Sequence, residues 1–148
     1  MDRERVAELL RSRDFTDLCR KHRVVLAVLF GSRAGGRAAR RSDTDLAVLT
    51  NGIQGLHSRH GSGGRTELLK DLVCYLQSSA VDLVILNHAN SLLRFEIAKT
   101  GKPVYEETPG AFADFCSLAV RQHEDSRLFY RAMDRYLGRA SERGEHSG

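Results

Sequence analysis

Apolar positions along the chain fall into two rhythms. Between Val6 and His22 the spacing i, i+3, i+4 and i+7 links Val6, Leu9, Leu10 and Arg13, then Phe15, Leu18, Cys19 and His22, which predicts one or two amphipathic helices. VVLAVLF at 24–30 is a continuous β-branched run ending at Gly31, the pattern of a strand buried on both faces. A second strand is expected from Asp45 to Thr50, a helix over 66–79, and a third strand from Val81 to Leu86. A helix over Ser91–Thr100 is closed by Gly101, a short edge strand covers Pro103–Tyr105, and a long helix runs from Pro109 to about Leu137. The Phe112 to Leu137 stripe reads chiefly as core, with any surplus apolar face available to dock a partner helix. NGIQGLHSRHGSGG at 51–64 has the composition of a surface loop. The expectation is therefore an α/β chain of the α+β type, a mixed β-sheet flanked by helices with a long C-terminal helix. One domain spans 1–137 and a flexible polar tail 138–148.

Composition narrows the class. With 148 residues, 41% hydrophobic and 28% charged, the chain suits a single globular domain and leaves no room for a second ordinary one. The opening residues lack a secretory signal, and no apolar run approaches the ~20 residues of a membrane span, so a cytoplasmic protein with no membrane contact is expected. Cys19, Cys74 and Cys116 are far apart, odd in number and set among apolar residues, which predicts buried free thiols. His22 and His123 sit on helix stripes as packing residues; Tyr75, Tyr105, Tyr130 and Tyr136 read as core or interface. Of 23 basic residues 19 are arginine, whose planar fork suits phosphate and carboxylate, yet the net charge of +4 is too small to establish nucleic-acid binding.

The chemistry is concentrated in LFGSRAGGRAARRSDTDLAVL, residues 29–49. Gly31 and Ser32 stand at a strand end, and Asp43 and Asp45 open the next strand. Side chains at i and i+2 of a strand share a face, so these two carboxylates lie side by side and repel unless a cation sits between them. Mg²⁺ suits the position, because it takes one or two carboxylates and completes its shell with substrate phosphates. If the first two strands are antiparallel and the third is parallel to the second, Asp82 reaches the same edge. Three acids facing a Gly-Ser turn can form a two-metal site for in-line phosphoryl transfer. Gly31 leaves room for a phosphate, Ser32 offers an N–H and a hydroxyl, and Arg33, Arg37, Arg40 and Arg41 beside Ser42 can neutralise a triphosphate. No GK[ST] or GxGxxG follows, which removes the Walker and Rossmann alternatives. Read alone, Ser42-Asp43-Thr44-Asp45 is an Asx-type turn, Asp82 a solvated strand start and the arginines a solvated face; the combination is what argues for a site. His57 and His60 have no partners suited to zinc.

Gly-Ser, ten residues, Asp-x-Asp and a lone Asp on a later strand resemble the signature of the DNA polymerase β nucleotidyltransferase superfamily. The form GSRAGGRAARRSDTDLAVL, with VDLVILNHANSLLRFEIAKTGKPVYEE and a long C-terminal helix, is similar to the minimal nucleotidyltransferases. More narrowly it resembles the MntA-type antitoxins that partner HEPN-domain RNase toxins, over roughly residues 5–137. The resemblance implies an adenylyltransferase that uses two Mg²⁺ ions and ATP and passes AMP to a tyrosine hydroxyl of the toxin. In that reading Asp43, Asp45 and Asp82 are the catalytic, metal-binding triad, and Gly31, Ser32, Arg33, Arg37, Arg41 and Ser42 hold the nucleotide. Two alternatives stay open, an aminoglycoside-type nucleotidyltransferase acting on small molecules and an antitoxin that only occludes its toxin. The chain has no R-x4-H nuclease spacing of its own and no aromatic stacking platform, so direct nucleic-acid binding is not expected.

Overall fold

A computed structural model describes residues 3–31, 43–51 and 63–145, with the side chains of Arg3 and 140–145 left aside. Two short helices, α1 (Arg3–Leu10) and α2 (Arg13–Lys21), lead into β1 (Val24–Phe30) and β2 (Thr44–Thr50). Helix α3 (Gly63–Leu76) precedes β3 (Val81–Ile85) and a single 3-10 turn (Leu86–His88); α4 (Ser91–Thr100), β4 (Lys102–Glu106) and α5 (Ala111–Glu145) follow. The strands form one sheet in the order β3-β2-β1-β4. β1 is antiparallel to both β2 and β4, whereas β2 and β3 are parallel, joined by α3 as the crossover. This is the mixed sheet flanked by helices that the pattern predicts.

Strand alternation divides the core into two layers. Ala27 and Leu29 of β1, Leu46 and Val48 of β2, and Leu83 and Ile85 of β3 meet Val6, Leu10, Phe15, Cys19, Leu68, Leu72 and Leu76 from α1, α2 and α3. On the other face Leu26, Val28 and Ala47 pack beneath Leu86, Ile97, Phe115 and Ala119, under α4 and α5. Leu72 is fully buried in the first layer. Leu72→Ala is expected to cost about 2–5 kcal/mol, read as a lowered urea midpoint, because removing the side chain forfeits burial and leaves a cavity.

The helical hairpin is tied to α3 by polar contacts the sequence did not announce. Ser12 caps α2 by accepting from the Phe15 N–H, and its hydroxyl also meets the Tyr75 hydroxyl, which donates to Leu9 O at 2.7 Å. His22, expected as a plain packing residue, has its Nε2 2.6 Å from Asp71 Oδ2, and Lys21 Nζ reaches the same oxygen at 2.9 Å. These hydrogen bonds hold the Asp71 carboxyl below the ordinary carboxylate range. A carboxyl whose folded value is depressed contributes stability above its unfolded value near pH 4, and the contribution fades as the pH falls through the folded value. Asp71→Asn is therefore expected to lower the melting temperature at pH 7 by an amount worth under about 1 kcal/mol, and the difference should fade as the pH falls through the folded value of the carboxyl.

Several boundaries and environments differ from the sequence reading. α3 begins at Gly63, inside the stretch read as a loop, because the first turn of a helix makes no backward hydrogen bonds and tolerates glycine there. α5 continues to Glu145, past the expected end at 137, since Arg139, Ala140, Glu142, Arg143 and Glu145 favour helix despite Gly138 and Gly144. The expected tail boundary at 138 falls inside this helix. The stripe from Phe112 is core only in its first part: Phe115 and Ala119 are buried, whereas Phe129 is 60% exposed, Tyr130 66% and Tyr136 69%, there being no sheet beneath them. Cys19 is buried, with its thiol pushed up to about 12 by desolvation, but Cys74 is exposed rather than buried, lying on the outer side of α3. Among the described residues no helix is long and apolar enough to cross a membrane.

Candidate active site

The register of three strands assembles the site. Phe30 pairs with Asp45 across β1 and β2, and Asp45 pairs with Asp82 across β2 and β3. Residues paired across strands point to the same face, so Asp45 and Asp82 present adjacent carboxylates. Asp43 stands two residues before Asp45 and shares that face. It is the face of Ala47, whose layer is covered by α4 and α5, and the acids lie where the strands leave that cover. Asp43 and Asp82 are exposed and Asp45 is half-buried, so the group is open to solvent and substrate. The Thr44 N–H donates to Ala80 O at 2.8 Å, and Thr44 itself is 3% exposed, which pins the start of β2 to the residues that lead into Asp82.

Gly31 has a more specific role than leaving space for a phosphate. Its φ is +74°, a left-handed conformation that side chains resist. A Cβ placed there would stand 3.0 Å from Asp45 Cγ and still closer to Oδ2. The end of β1 therefore turns directly against the Asp45 carboxylate, an intimacy that spacing alone could not disclose. A second feature missed in the sequence is Arg65, whose Nη2 donates to Leu83 O at 3.0 Å and so fastens the start of α3 to the strand that carries Asp82.

Of the residues expected to hold nucleotide, only Gly31 is described. Ser32, Arg33, Arg37, Arg40, Arg41 and Ser42, together with His57 and His60, lie outside the described residues. Among the described residues no three His, Cys, Asp or Glu side chains form a ready-made metal cage. Such a cage is not what Mg²⁺ requires, since that ion is commonly held by one or two carboxylates and shares the rest of its shell between water and substrate phosphates. The donor set here, hard carboxylates on one face with open space in front, fits that mode. A cleft of about 510 Å³ lies instead at the opposite end of β1, lined by Arg20, Arg23, Val24, Asn51, Tyr105 and Glu107. Burial raises the Tyr105 phenol, and a hydrogen bond from Arg20 partly offsets the rise.

Residues 14–109 match the family model described as polymerase beta, nucleotidyltransferase. The chain belongs to this nucleotidyltransferase family. The match spans Gly31, Asp43, Asp45 and Asp82. Over 98 residues the chain is 34% identical to the protein adenylyltransferase MntA of Aphanizomenon flos-aquae, covering 61% of this chain. The matched segment spans 62% of that relative's length. A toxin–antitoxin crystal structure with AMP-PNP superposes with a TM-score of 0.65 at 27% identity, covering 83% of this chain and 94% of that one. The fold is likewise shared with a complex of a tri-AMPylated Shewanella oneidensis HEPN toxin and an MNT antitoxin, at a TM-score of 0.62 and 24% identity over 88% of this chain and 98% of the other.

Proposed function

We propose that this nucleotidyltransferase is a Mg²⁺-dependent protein adenylyltransferase that transfers AMP from ATP to a tyrosine hydroxyl of a HEPN-domain RNase toxin, and so serves as its antitoxin. The observation that carries the reading is the pairing of Asp45 with Asp82, with Gly31 folded against Asp45. The adenylyltransferase relative and the likeness to a toxin–antitoxin structure with an ATP analogue support the choice of nucleotide and acceptor.

In this mechanism Asp43 and Asp45 would hold Mg²⁺, with Asp82 as the third carboxylate. The bound metal supplies positive charge that offsets the triphosphate and the charge that develops during transfer. Gly31 lets the chain approach a phosphate without a side chain in the way. A tyrosine hydroxyl, with an ordinary pKa of about 10, must lose its proton to become an effective nucleophile. Asp82, exposed at the strand edge, would accept that proton. The phenolic oxygen then bonds to the α-phosphorus, the bond from that phosphorus to the bridging oxygen breaks, and pyrophosphate leaves.

Incubation of the purified chain with Mg²⁺, α-labelled ATP and a HEPN-domain RNase toxin from the same genome tests the reading. Label on a toxin tyrosine, with loss of RNase activity, is the expected result. An unlabelled toxin combined with label on a small hydroxylated acceptor would transfer the assignment to small-molecule chemistry. Neutralisation that survives Asp43→Ala would instead identify occlusion as the antitoxin mechanism.

A further inference from the structure

The distal half of α5 carries a face that the domain does not cover. Seen down the helix, Ser126, Phe129, Tyr130, Met133 and Tyr136 continue the same face that carries Phe115 and Ala119 into the core. Ser126 marks the edge of the body, where its hydroxyl meets that of Ser91 on α4 at 2.9 Å. Beyond it Phe129 is 60% exposed, Tyr130 66%, Met133 39% and Tyr136 69%. Three large aromatic rings and a methionine on one side of a helix are the composition of a docking surface rather than of a solvated one.

The charges beside this face identify what fits it. Along one border stand Asp125 and, fourteen residues on, Arg139; along the other stand Arg127 and Asp134. Each border therefore begins with one sign and ends with the other. When two copies of such a helix pack antiparallel, each border meets its own counterpart reversed. Asp125 of one copy then faces Arg139 of the other, and Arg127 faces Asp134. The apolar positions obey the same symmetry: Phe129 falls opposite Tyr136, and Tyr130 opposite Met133, about a midpoint near residue 132. The existing contact of Arg127, 3.9 Å from Glu124 on its own helix, is long and exposed and does not compete strongly.

We propose that this face binds a second copy of the chain, as an antiparallel pair of α5 helices centred near Ala132. The contact spans about fifteen residues, or roughly 22 Å of helix, so the dimer is small and dissociable rather than obligate. It involves neither the acids of the active site nor the acceptor, and it stands or falls independently of the proposed activity.

Sedimentation of the full chain from about 1 to about 200 μM tests it, since a small interface implies a dissociation constant in the micromolar range. A reversible monomer–dimer equilibrium is expected. Asp125→Arg and Arg139→Asp should each weaken it at least about tenfold, because each sets two like-charged contacts across the two-fold axis. Together in one chain they should restore it by exchanging the signs. Met133→Arg, exposed enough to leave the fold intact by circular dichroism, should abolish it. A chain that stays monomeric throughout overturns the proposal, as does a double charge exchange that fails to restore association. Protection of this face only when a toxin is bound would also overturn it, in favour of a heteromeric contact.

Discussion

Asp45→Asn is expected to reduce nucleotidyl transfer by about a thousandfold while leaving the nucleotide-free protein folded. The loss follows from the proposed metal site: removing one of the two carboxylates proposed to hold the cation would forfeit several kcal/mol of charge stabilisation, and about 1.4 kcal/mol corresponds to each factor of ten. The stability follows from the sheet. Asp45 and Asp82 are paired directly across β2 and β3, and like charges in that relation destabilise a sheet by a few tenths of a kcal/mol to about 1 kcal/mol. The amide keeps the shape and removes the repulsion. Single-turnover transfer assays, with thermal unfolding in the absence of metal and nucleotide, measure the two effects on one preparation. Activity within about tenfold of the original would remove Asp45 from the metal site. A protein that unfolds markedly earlier would show that the carboxylate is structural.

Gly31→Ala should be nearly as damaging, for a different reason. An L-residue in the left-handed region costs about 1–2 kcal/mol, and the added methyl must also displace the Asp45 carboxylate. A displacement of about 1 Å in a reacting array can cost on the order of a hundredfold in rate. The expected result is a transfer rate lowered about a hundredfold together with a modest loss of stability. Gly110 supplies the control, because its φ is +92° but a Cβ there meets nothing within 4 Å. Gly110→Ala should lower the melting temperature through backbone strain alone and leave transfer unchanged. Equal catalytic losses in the two variants would show that strain, and not the approach to Asp45, explains the defect.

Much of this arrangement is visible in the chain before it folds. The run Val24–Phe30 appears as β1 with the expected bounds, and Ser91–Thr100 appears as α4, because a β-branched apolar block and a stripe between Asn90 and Gly101 are strong local signals. The mixed sheet follows from connection lengths: α3 is long enough to serve as the crossover that makes β2 and β3 parallel. With that order given, Asp45 and Asp82 must meet at one edge, which is why two acids 37 positions apart could be assigned together.

What could not be read was whatever depends on where one element ends against another. His22 falls on an apolar stripe, and only the packing of α2 against α3 brings it to Asp71. The tyrosines of α5 continue a perfect helical stripe past the point where the sheet stops, so periodicity marks them as core while the fold leaves them exposed. Gly31 illustrates the division most sharply. Its place after a strand and before the acids is a property of the sequence and predicts a turn near phosphate. That its backbone is left-handed and lies against the Asp45 carboxylate is a property of the sheet register, which sets Phe30 opposite Asp45. Local order along the chain determines which residues can form strands and helices; only the close packing of those elements determines which side chains share a site.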